Sequence, residues 1–421
     1  MQAAIDAVDA TRLVELALHD SALLDQLRSA SSVDVVSAGK AAASMLMGFA
    51  GASPVPARSM TGIGPGQPAN LPPGAVWYPS AHPVPDERSV AAARRALAVA
   101  ESVTPRGVLL VLISGGASSL MAKPAGDLSL ADKRRTSEIL LESGADITEM
   151  NTVRKHLSAI KGGRLAVAAG GAVVTLAVSD VVGDNLSTIA SGPTVPDATT
   201  FEQALDVLDR RGGRARYPPA VVRWLARGAD GGVEETPKPN DPRLTRSVAR
   251  VIGGRLTAVD GASRAAESLG YRIHAIEQPV TGEARRAGAA LVDVASWASM
   301  LRDAQPMCIL ASGETTVHVT GQGRGGRNQE CALAMGLQLD TLGPSVVAAS
   351  VGTDGVDGPT DAAGAVVDTT TLARARAAGV GDPERYLDDN DSYTFFNTLG
   401  DLIRTGPTGT NVGDLQVILI G

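Results

Sequence analysis

Short apolar runs recur along the chain, and most contain β-branched residues and end in small ones. Continuous apolar runs of this length are typical of strands that are buried on both faces. The segments between them, such as SVAAARRALAVAESV and GASRAAESLG, are rich in alanine and have helical spacing. The alternation predicts an α/β fold with a largely parallel sheet. The predicted strands are VDVVSAGK, GVLLVLISGG, AVVTLAVSD, YRIHAI, MCILASGE, SVVAASVGTDG and LQVILIG.

The alternation lapses between residues 211 and 246, where glycine, proline and charged residues dominate. A chain of 421 residues exceeds one ordinary core, since domains seldom grow past about 250–300 residues. We therefore predict a domain over residues 1–243 and a smaller one over 244–421, with the terminal strand in the second domain or returning to the first. Within these limits PPAVVRWLARG predicts a helix, and GASPVPARSMTGIGPGQPANLPPG predicts an extended loop.

Composition narrows the class of protein. The net charge is −7 and only 3% of residues are aromatic, which disfavours nucleic acid as a partner. No apolar run approaches the roughly 20 residues of a membrane span, and the N-terminus lacks a signal-peptide pattern, so a cytoplasmic protein that does not bind membranes is expected. The two cysteines, Cys308 and Cys331, are predicted to be buried thiols. The sequence leaves both a monomer and a homodimer open.

Two glycine- or lysine-containing turns follow predicted strands of the first domain. SGGASSLM can cradle a phosphate or carboxylate, because its glycines allow close backbone approach and its serines donate hydrogen bonds; the alternative is an ordinary tight turn. Lys40 precedes a predicted helix and opposes its dipole, a conflict that a bound anion would remove; the alternative is a solvated lysine. The candidate anion-binding residues of the first turn are Ser114, Gly115, Gly116, Ala117, Ser118 and Ser119.

A third turn, SDVVGDNLSTIASGP, follows the strand AVVTLAV. Asp180 and Asp184 are placed where a carboxylate can bind Mg²⁺ or accept a substrate proton, although both residues could simply cap turns. Ser191 and Gly192, further along, suggest another anion-binding turn of the backbone.

The second domain carries a glycine-rich stretch before a predicted helix, after a strand and a hairpin-like segment. Arg327 stands beside two glycines and can bind a planar carboxylate or phosphate through two hydrogen bonds, the alternative being a solvated arginine. The neighbouring residues that are candidates for binding and positioning such an anion are Gly313, Glu314, Thr315, Gly325, Gly326 and Asn328.

The loop VGTDGVDGPTDAAG follows another predicted strand of the second domain. Counted from Asp354, the position of the bidentate glutamate of an EF-hand falls on an alanine, so a dedicated calcium site is disfavoured. We predict instead that Thr353, Asp354 and Asp357 position a Mg²⁺–nucleotide or substrate hydroxyls, and that Asp361 caps the turn.

Eight stretches, in this order, resemble the glycerate 2-kinases that join an N-terminal DUF4147 domain to a C-terminal MOFRL domain. The resemblance covers nearly the whole chain through SAGKAA, YPSAHPVPDERS, LISGGASSLM, NTVRKHLSAIKGGRLA, SDVVGDNLSTIASGPTVPD, SGETTVHVTGQGRGGRNQE, VGTDGVDGPTDAAGAVVD and TGPTGTNVGDLQVIL. It departs at Gly254–Arg255, where members of the family tend to carry an asparagine.

The resemblance implies phosphorylation of D-glycerate by ATP at the 2-hydroxyl, with Mg²⁺, in a cleft between a Rossmann-like domain and a smaller α/β domain. It implies that Lys40 and Arg327 are essential, and that the catalytic aspartate is Asp184 or Asp180. Asp184 and Asp354 are then the candidate metal ligands. Our hypothesis is that the SGGASS turn and Lys40 hold the substrate carboxylate, while nucleotide phosphates meet Arg327.

Three other functions compete with this hypothesis. A kinase for a related sugar acid would use the same residues. An NAD(P)H-dependent hydroxypyruvate reductase, a label that the family also carries, is disfavoured on two grounds. No predicted strand runs directly into a G-x-G-x-x-G turn with an acidic residue about 20 positions on, and no histidine stands in an obvious hydride-transfer arrangement. A non-catalytic sugar-acid or nucleotide sensor would not need the lysine, arginine and aspartates that are present here.

Overall fold

The computed structural model describes residues 1–300 and 305–421, which form two compact units. The large unit is Ala10–Ile252, and the small unit combines Met1–Asp9 with Gly253–Gly421. The chain therefore begins in the small unit with helix α1 (Gln2–Ala7), builds the large unit, and then returns to the small unit.

A six-stranded sheet forms the centre of the large unit, in the order β3-β2-β1-β4-β5-β6. All pairs from β3 to β5 are parallel. The central strands β1, β4 and β5 are buried along their whole length, which confirms the prediction from their continuous apolar runs. The strands are β1 (Val33–Ala38), β2 (Ser59–Pro65), β3 (Ala75–Ser80), β4 (Val108–Ile113), β5 (Ala172–Val178) and β6 (Ser247–Gly253).

Strand β2 lies in the segment that the sequence predicted to be an extended loop, so that prediction was wrong. Two positions of β2 are glycines because the ring of Trp77 on β3 packs directly over the strand. A Cβ atom on Gly62 would lie 2.4 Å from Trp77 Cε3, and one on Gly64 would lie 2.6 Å from Trp77 Cζ2. Glycine is required at these positions by the close approach of the ring.

Helices connect the strands of the large unit, and the predicted helix in PPAVVRWLARG is confirmed as α11. Helices α7, α8, α10 and α11 also pack against one another around their own apolar cluster. The helices are α2 (Ala10–Ala17), α3 (Ser21–Ser29), α4 (Ala42–Ala52), α5 (Glu87–Glu101), α6 (Ala117–Leu120), α7 (Leu130–Glu142), α8 (Ile147–His156), α9 (Arg164–Ala168), α10 (Phe201–Arg210) and α11 (Pro219–Ala229).

The sheet of the small unit is mixed, with the order β12-β11-β10-β13-β9-β7 and with β8 also paired to β9. Strands β7 and β8 run parallel to β9, whereas the pairs from β12 to β9 are antiparallel. The terminal strand β13 lies between β10 and β9. The strands are β7 (Arg272–Ala275), β8 (Val280–Glu283), β9 (Met307–Thr316), β10 (Val346–Gly352), β11 (Gly364–Asp368), β12 (Leu402–Ile403) and β13 (Asp414–Ile420).

Six further helices belong to the small unit, within the residues described, and the two cysteines are buried as predicted. Beyond β9, residues 317–326 run without regular structure into the next helix, so the predicted hairpin-like segment is absent from this described stretch. None of the described helices is long and apolar enough to cross a membrane. The helices are α12 (Arg255–Ser268), α13 (Ala284–Met300), α14 (Arg327–Gly336), α15 (Thr371–Ala377), α16 (Pro383–Asp388) and α17 (Ser392–Leu399).

Candidate active site

The turns that follow β1 and β4 are hydrogen-bonded to each other at the carboxyl ends of these strands. Lys40 N donates to Gly115 O at 2.9 Å, and Ala41 N donates to Ser114 Oγ at 3.0 Å. Gly39 has a φ of 135°, and a Cβ atom there would lie 2.1 Å from Ser114 Oγ. Ser114 is fully buried, so its hydroxyl joins the two turns, whereas Lys40 is exposed just ahead of α4.

Gly116 brings the side chains of Lys40 and His82 to the same place. It has a φ of 83°, a left-handed conformation that favours glycine. A Cβ atom at this position would lie 2.9 Å from His82 Cδ2 and 3.5 Å from Lys40 Cγ. His82 was absent from the predicted site, although it lies in YPSAHPVPDERS, one of the stretches that carry the family resemblance.

A second group of polar side chains converges on Ser118, at the first turn of α6. The hydroxyls of Ser118 and Ser191 are 3.0 Å apart, and Ser191 Oγ donates to Asn151 Oδ1 at 3.1 Å. Arg154 donates to Ser118 Oγ at 2.6 Å, and Lys161 Nζ donates to Ser118 O at 2.6 Å and also to its hydroxyl. The structure thus joins two predicted residues, Ser118 and Ser191, to three that the prediction missed.

This cationic cluster also includes Lys133 on α7. Burial lowers the pKa of Lys133 to about 7, with a further contribution from the charge of Arg154. Burial also lowers the pKa of Arg154, and burial together with Arg154 and Lys133 lowers that of Lys161. Among the residues described, none of these three cations pairs with a carboxylate. Buried charges are normally paired, so the cluster has the properties of an anion-binding site.

The loop after β5 carries unusual backbone conformations. Asp184, Ala190 and Ser191 have φ values of 52°, 54° and 60°, and Gly192 follows with 59°. Left-handed conformations cost a non-glycine residue about 1–2 kcal/mol and tend to be found at functional sites. The strained segment delivers the Ser191 hydroxyl to Ser118.

The two aspartates of this loop are half-buried. Asp180 lies two residues after the end of β5, and Asp184 lies at the tight turn that follows. One carboxylate oxygen of Asp184, Oδ1, is buried and has no hydrogen-bond partner among the residues that the structure describes. It is therefore an acceptor available to a hydroxyl or a cation.

A buried ion pair and a histidine–carboxylate pair hold the C-terminal end of α8 next to the cluster. Lys155 Nζ lies 3.2 Å from Asp197 Oδ1, and His156 Nε2 lies 3.0 Å from Glu235 Oε1. Burial would raise the pKa of Glu235, but the hydrogen bonds from His156 and from the Thr236 backbone lower it to about 2. These pairs fix the helix that carries Asn151 and Arg154.

In the small unit, Arg327 is the first residue of α14 and contacts two carboxylates. Its Nε donates to Asp414 Oδ2 at 2.8 Å, and its Nη1 lies 3.3 Å from Glu314 Oε1. Burial alone would lower the pKa of Arg327, but the carboxylate of Asp414 raises it above its ordinary value. Asn328 Nδ2 donates to Asp414 Oδ1 at 2.9 Å. Asp414, fully buried at the start of β13, thus anchors the arginine and was missed by the prediction.

Asp357 caps the N-terminus of α14. Its carboxylate accepts hydrogen bonds from the backbone of Asn328 at 3.0 Å and of Gln329 at 2.8 Å. Burial raises its pKa to about 6. A Cβ atom on Gly326 would lie 2.3 Å from Asp357 Cγ, and one on Gly325 would lie 2.4 Å from Ser392 Oγ. The glycines therefore let the loop after β10 press against the helix.

The remaining predicted residues of the small unit have different surroundings. Thr353 is buried and accepts from Val412 N while its hydroxyl donates to Gly413 O. Asp354 is half-buried, and one of its oxygens accepts from Val356 N at 3.1 Å. Asp361, expected to cap the turn, instead accepts from the side chains of Tyr393 and Arg404. Gly313 and Thr315 lie on β9 within the sheet, Gly313 opposite Asp414.

The arginine that replaces the expected asparagine is held by hydrogen bonds. Arg255 is the first residue of α12, and its guanidinium donates to Glu277 O at 2.9 Å and to Ser312 Oγ at 3.3 Å.

The described residues do not form a dedicated metal site: no group of three or more histidine, cysteine or acidic side chains could hold an ion. Mg²⁺ in kinases is usually bound by one or two carboxylates together with substrate phosphates. Asp184, with its unpartnered buried oxygen, fits that chemistry, as does the half-buried carboxylate of Asp354.

Comparison with known proteins places this geometry in a family. The family model named domain of unknown function (DUF4147) matches residues 1–226, and the MOFRL family model matches residues 307–414. A glycerate 2-kinase of Pyrococcus horikoshii is 40% identical over 342 residues, which cover 80% of this chain and 76% of that protein. A protein of Agrobacterium vitis with the provisional name hydroxypyruvate reductase is 44% identical over 348 residues, or 81% and 76% of the two chains.

A solved structure extends the likeness to the whole chain. The crystal structure of glycerate kinase from Thermotoga maritima matches with a TM-score of 0.86 and 36% identity, covering 100% of this chain and 99% of that one. The two α/β units, the anion-binding residues and these relatives together define a phosphotransferase with an alcohol group as acceptor. The chain belongs to the glycerate kinase family, in which a DUF4147 domain precedes a MOFRL domain.

Proposed function

We propose that this enzyme transfers the γ-phosphoryl group of ATP to the 2-hydroxyl of D-glycerate, giving 2-phosphoglycerate and ADP. The observation that carries the proposal is the convergence of cationic and hydroxyl groups on Ser118, beside the turn of Lys40 and at the carboxyl end of a parallel sheet. Ligands of open α/β folds bind at this edge. Both substrates are anions, and the positive charges of Arg154 and Lys161 at this edge favour the binding of anions.

The acceptor is a small carboxylate with two hydroxyls, and its carboxylate suits the SGGASS turn. Lys40 lies 3.5 Å or more from the position of a Gly116 Cβ atom, so its ammonium can reach an anion bound at that turn. The hydroxyls of Ser118 and Ser191 can orient the hydroxyl groups of glycerate. We assign the bound carboxylate to Lys40 and the backbone of Gly115 and Gly116.

Phosphoryl transfer needs positive charge around the moving group and a carboxylate that takes the proton of the attacking hydroxyl. Asp184 supplies that carboxylate in our proposal, because its Oδ1 has no protein donor among the described residues. Asp180, half-buried on the same loop, is the alternative. Arg327 neutralises charge on the transferred phosphoryl group. A Mg²⁺ ion would screen the phosphate charges, and the carboxylates of Asp184 in the large unit and of Asp354 in the small unit are each a candidate ligand for it.

The other small-unit residues act through Arg327 and Asn328. Asp414 and Glu314 orient the guanidinium, and Asp357 fixes the first turn of α14. We infer that these residues position the catalytic groups and are not themselves changed in the reaction. The same role falls to the residues that pack around them, Gly313, Thr315, Gly325, Gly326 and Thr353.

The test is ADP release, coupled to NADH oxidation, with D-glycerate, Mg²⁺ and ATP. The wild-type protein should release ADP, and Lys40→Ala and Arg327→Ala should each lower kcat at least about a hundredfold. The reason is that stabilisation of negative charge in the transition state by a positioned cation supplies several kcal/mol. Circular dichroism and Tm show whether the variants fold. Product NMR distinguishes 2-phosphoglycerate from 3-phosphoglycerate. Wild-type rates in either variant would refute the assigned roles.

The name of the Agrobacterium vitis relative suggests a second activity, reduction of hydroxypyruvate, which can be tested separately. A hydroxypyruvate reductase would consume NADH or NADPH with hydroxypyruvate in the absence of ATP. We expect no such oxidation by the purified protein. Steady NADH loss with hydroxypyruvate, unaffected by Lys40→Ala, would favour the reductase over the kinase. Erythronate and L-glycerate in the ADP-release assay test whether a related acid is the better acceptor.

A further inference from the structure

A pocket of about 850 Å³, its open mouth included, lies between α7, α8 and the segment after β3. One end is formed by the cations Lys133, Arg154 and Lys161, and Ser118 lies there as well. We call this cavity the Lys133 pocket.

The cationic end is built for a ligand with several negative charges. Lys133 is 8% exposed and Lys161 is 2% exposed. The ammonium of Lys133 has no hydrogen-bond partner among the described residues, and the polar contacts of Arg154 and Lys161 go to Ser118. Arg134 also lines the pocket, and Glu138 is the only acid among the described residues that line it. Three buried cations so close together repel one another unless an anion binds between them.

The rest of the pocket is apolar. Pro83, Val84 and Pro85 form one wall, and Leu141, Met150 and Leu157 contribute to the others. Val84 is 52% exposed and Leu141 is 65% exposed, so apolar surface extends to the mouth. A ligand that fills this pocket therefore carries its charge at one end and a flat or apolar body at the other.

In the small unit, the N-terminal turn of α14 is already occupied by protein groups. The space beside Gly325 and Gly326 is filled by Asp357 and Ser392. The backbone N–H groups of Asn328 and Gln329, which a phosphate would need as donors, already donate to the carboxylate of Asp357. Glycerate has one negative charge and no apolar body, so a glycerate molecule in contact with Ser118 would leave the apolar walls and most of the cationic end of the Lys133 pocket uncovered.

We propose that the Lys133 pocket binds the nucleotide of the phosphoryl donor, with its phosphates at Lys133, Arg154 and Lys161 and its base against the apolar walls. The identification of the nucleotide as the donor rests on the kinase function proposed above; the binding itself does not. None of the described residues that line the walls is aromatic, so the base packs on proline, valine and leucine side chains.

The experiment measures binding of ADP, pyrophosphate and D-glycerate by isothermal titration calorimetry to the wild type and to Lys133→Met. Methionine keeps the apolar stem of the lysine and removes its charge. Because a hydrogen bond to a charged group contributes about 1.5–3 kcal/mol, we expect the Kd of ADP and of pyrophosphate to rise about ten- to a hundredfold. The Kd of D-glycerate should stay the same.

Two further variants separate the parts of the pocket. Leu141→Ala removes a partly exposed wall and should weaken ADP several-fold while leaving pyrophosphate unchanged. Arg135→Met is the matched control on the same helix, because Arg135 pairs with Glu138 and Glu142 at the surface and does not line the pocket. It should bind all three ligands as the wild type does.

Equal ADP affinity in the wild type and Lys133→Met would overturn the proposal. So would a loss confined to D-glycerate, which would make this the acceptor site. If ADP binds and responds to Lys133→Met while no phosphoryl transfer occurs, the pocket stands and the kinase function fails. If transfer occurs with an unchanged KM for ATP in Lys133→Met, the kinase function stands and the pocket assignment fails.

Discussion

The buried ammonium of Lys133 should make the stability of the protein depend on pH, and one substitution isolates the effect. The side chain is 8% exposed on α7. Its pKa is lowered from 10.5 to about 7 by burial and then by the charge of Arg154. The other charged groups that line the same pocket are Arg134 and Glu138, from its own helix, and Lys161. The perturbation is Lys133→Met.

The size of the effect follows from the two pKa values. Below pH 7 the lysine is protonated in both the folded and the unfolded chain, and the folded state bears the whole cost of the buried charge, about 5 kcal/mol. Between pH 7 and 10.5 the unfolded chain binds one proton more than the folded chain, so stability rises by about 1.4 kcal/mol per pH unit. A methionine at position 133 does not titrate, so it adds no such pH dependence to the stability of the protein.

The assay is urea unfolding of the wild type and Lys133→Met at about pH 6, 7.5 and 9 without ligands. The advantage of the variant should be largest at the lowest pH and should shrink by about 2 kcal/mol between the two higher values. Arg135→Met, on the exposed face of the same helix, should track the wild type at every pH. A difference between the wild type and Lys133→Met that does not change with pH would refute the reasoning.

Three other substitutions test single features of the site. Gly116→Ala should lower kcat strongly, because an L-residue at φ 83° costs about 1–2 kcal/mol and its methyl group would press on His82; stopped assays and Tm measure both effects. Asp354→Asn should raise the Mg²⁺ concentration needed for half-maximal turnover, measured by Mg²⁺ titration of the initial rate. Glu235→Gln should remove an acid-induced loss of stability. The pKa of Glu235 is held at about 2, so its stabilising effect is complete above pH 4.5 and is lost as the pH falls toward 2. Thermal unfolding between pH 4.5 and 2 measures this loss.

Each of these predictions has a control and a contrary outcome. Gly66→Ala shares the left-handed backbone, with φ 63°, but meets no atom within 4 Å, so equal losses of activity in it and Gly116→Ala would contradict the role of the Lys40 turn. Asp361→Asn is the control for Asp354→Asn, and an unchanged Mg²⁺ requirement in the latter would remove Asp354 from the metal site. If Glu235→Gln and the wild type lose stability in parallel on acidification, the pair with His156 is not the cause.

Strands that are continuously apolar could be predicted from the sequence, because burial on both faces leaves no polar position. β1, β4 and β5 follow that rule. β2 does not, since two of its seven residues are glycines that accommodate Trp77 from the neighbouring strand. Glycine in a sequence signals a turn more often than a packing contact, and the ring that demands it lies 13 residues or more away along the chain.

The sequence predicted those residues of the candidate site that lie in glycine- and serine-rich turns after strands. It did not predict the cations of the candidate site that lie on helices. Lys133 and Arg154 look in sequence like solvated residues of amphipathic helices. A signal was present, because Lys133 falls three residues after Leu130 and seven before Leu140, on the buried face of α7. Nothing local shows that Arg154 and Lys161 point at the hydroxyl of Ser118, because they lie 36 and 43 positions further along the chain and only the fold brings them to it.

The division of the chain into Ala10–Ile252 and a unit built from both flanking segments has a consequence for synthesis on the ribosome. Helix α1 emerges first, yet it packs on α12, where Gly261 leaves room for Ala7, and Val8 O accepts from Thr410 near the other end of the chain. The large unit can fold as soon as it has emerged, whereas α1 must wait with its apolar face uncovered until more than 250 further residues have been translated. A nascent chain arrested when residue 252 has emerged from the ribosome and α12 has not should therefore contain a folded large unit and an unprotected N-terminal helix, which limited proteolysis of ribosome-bound chains would reveal.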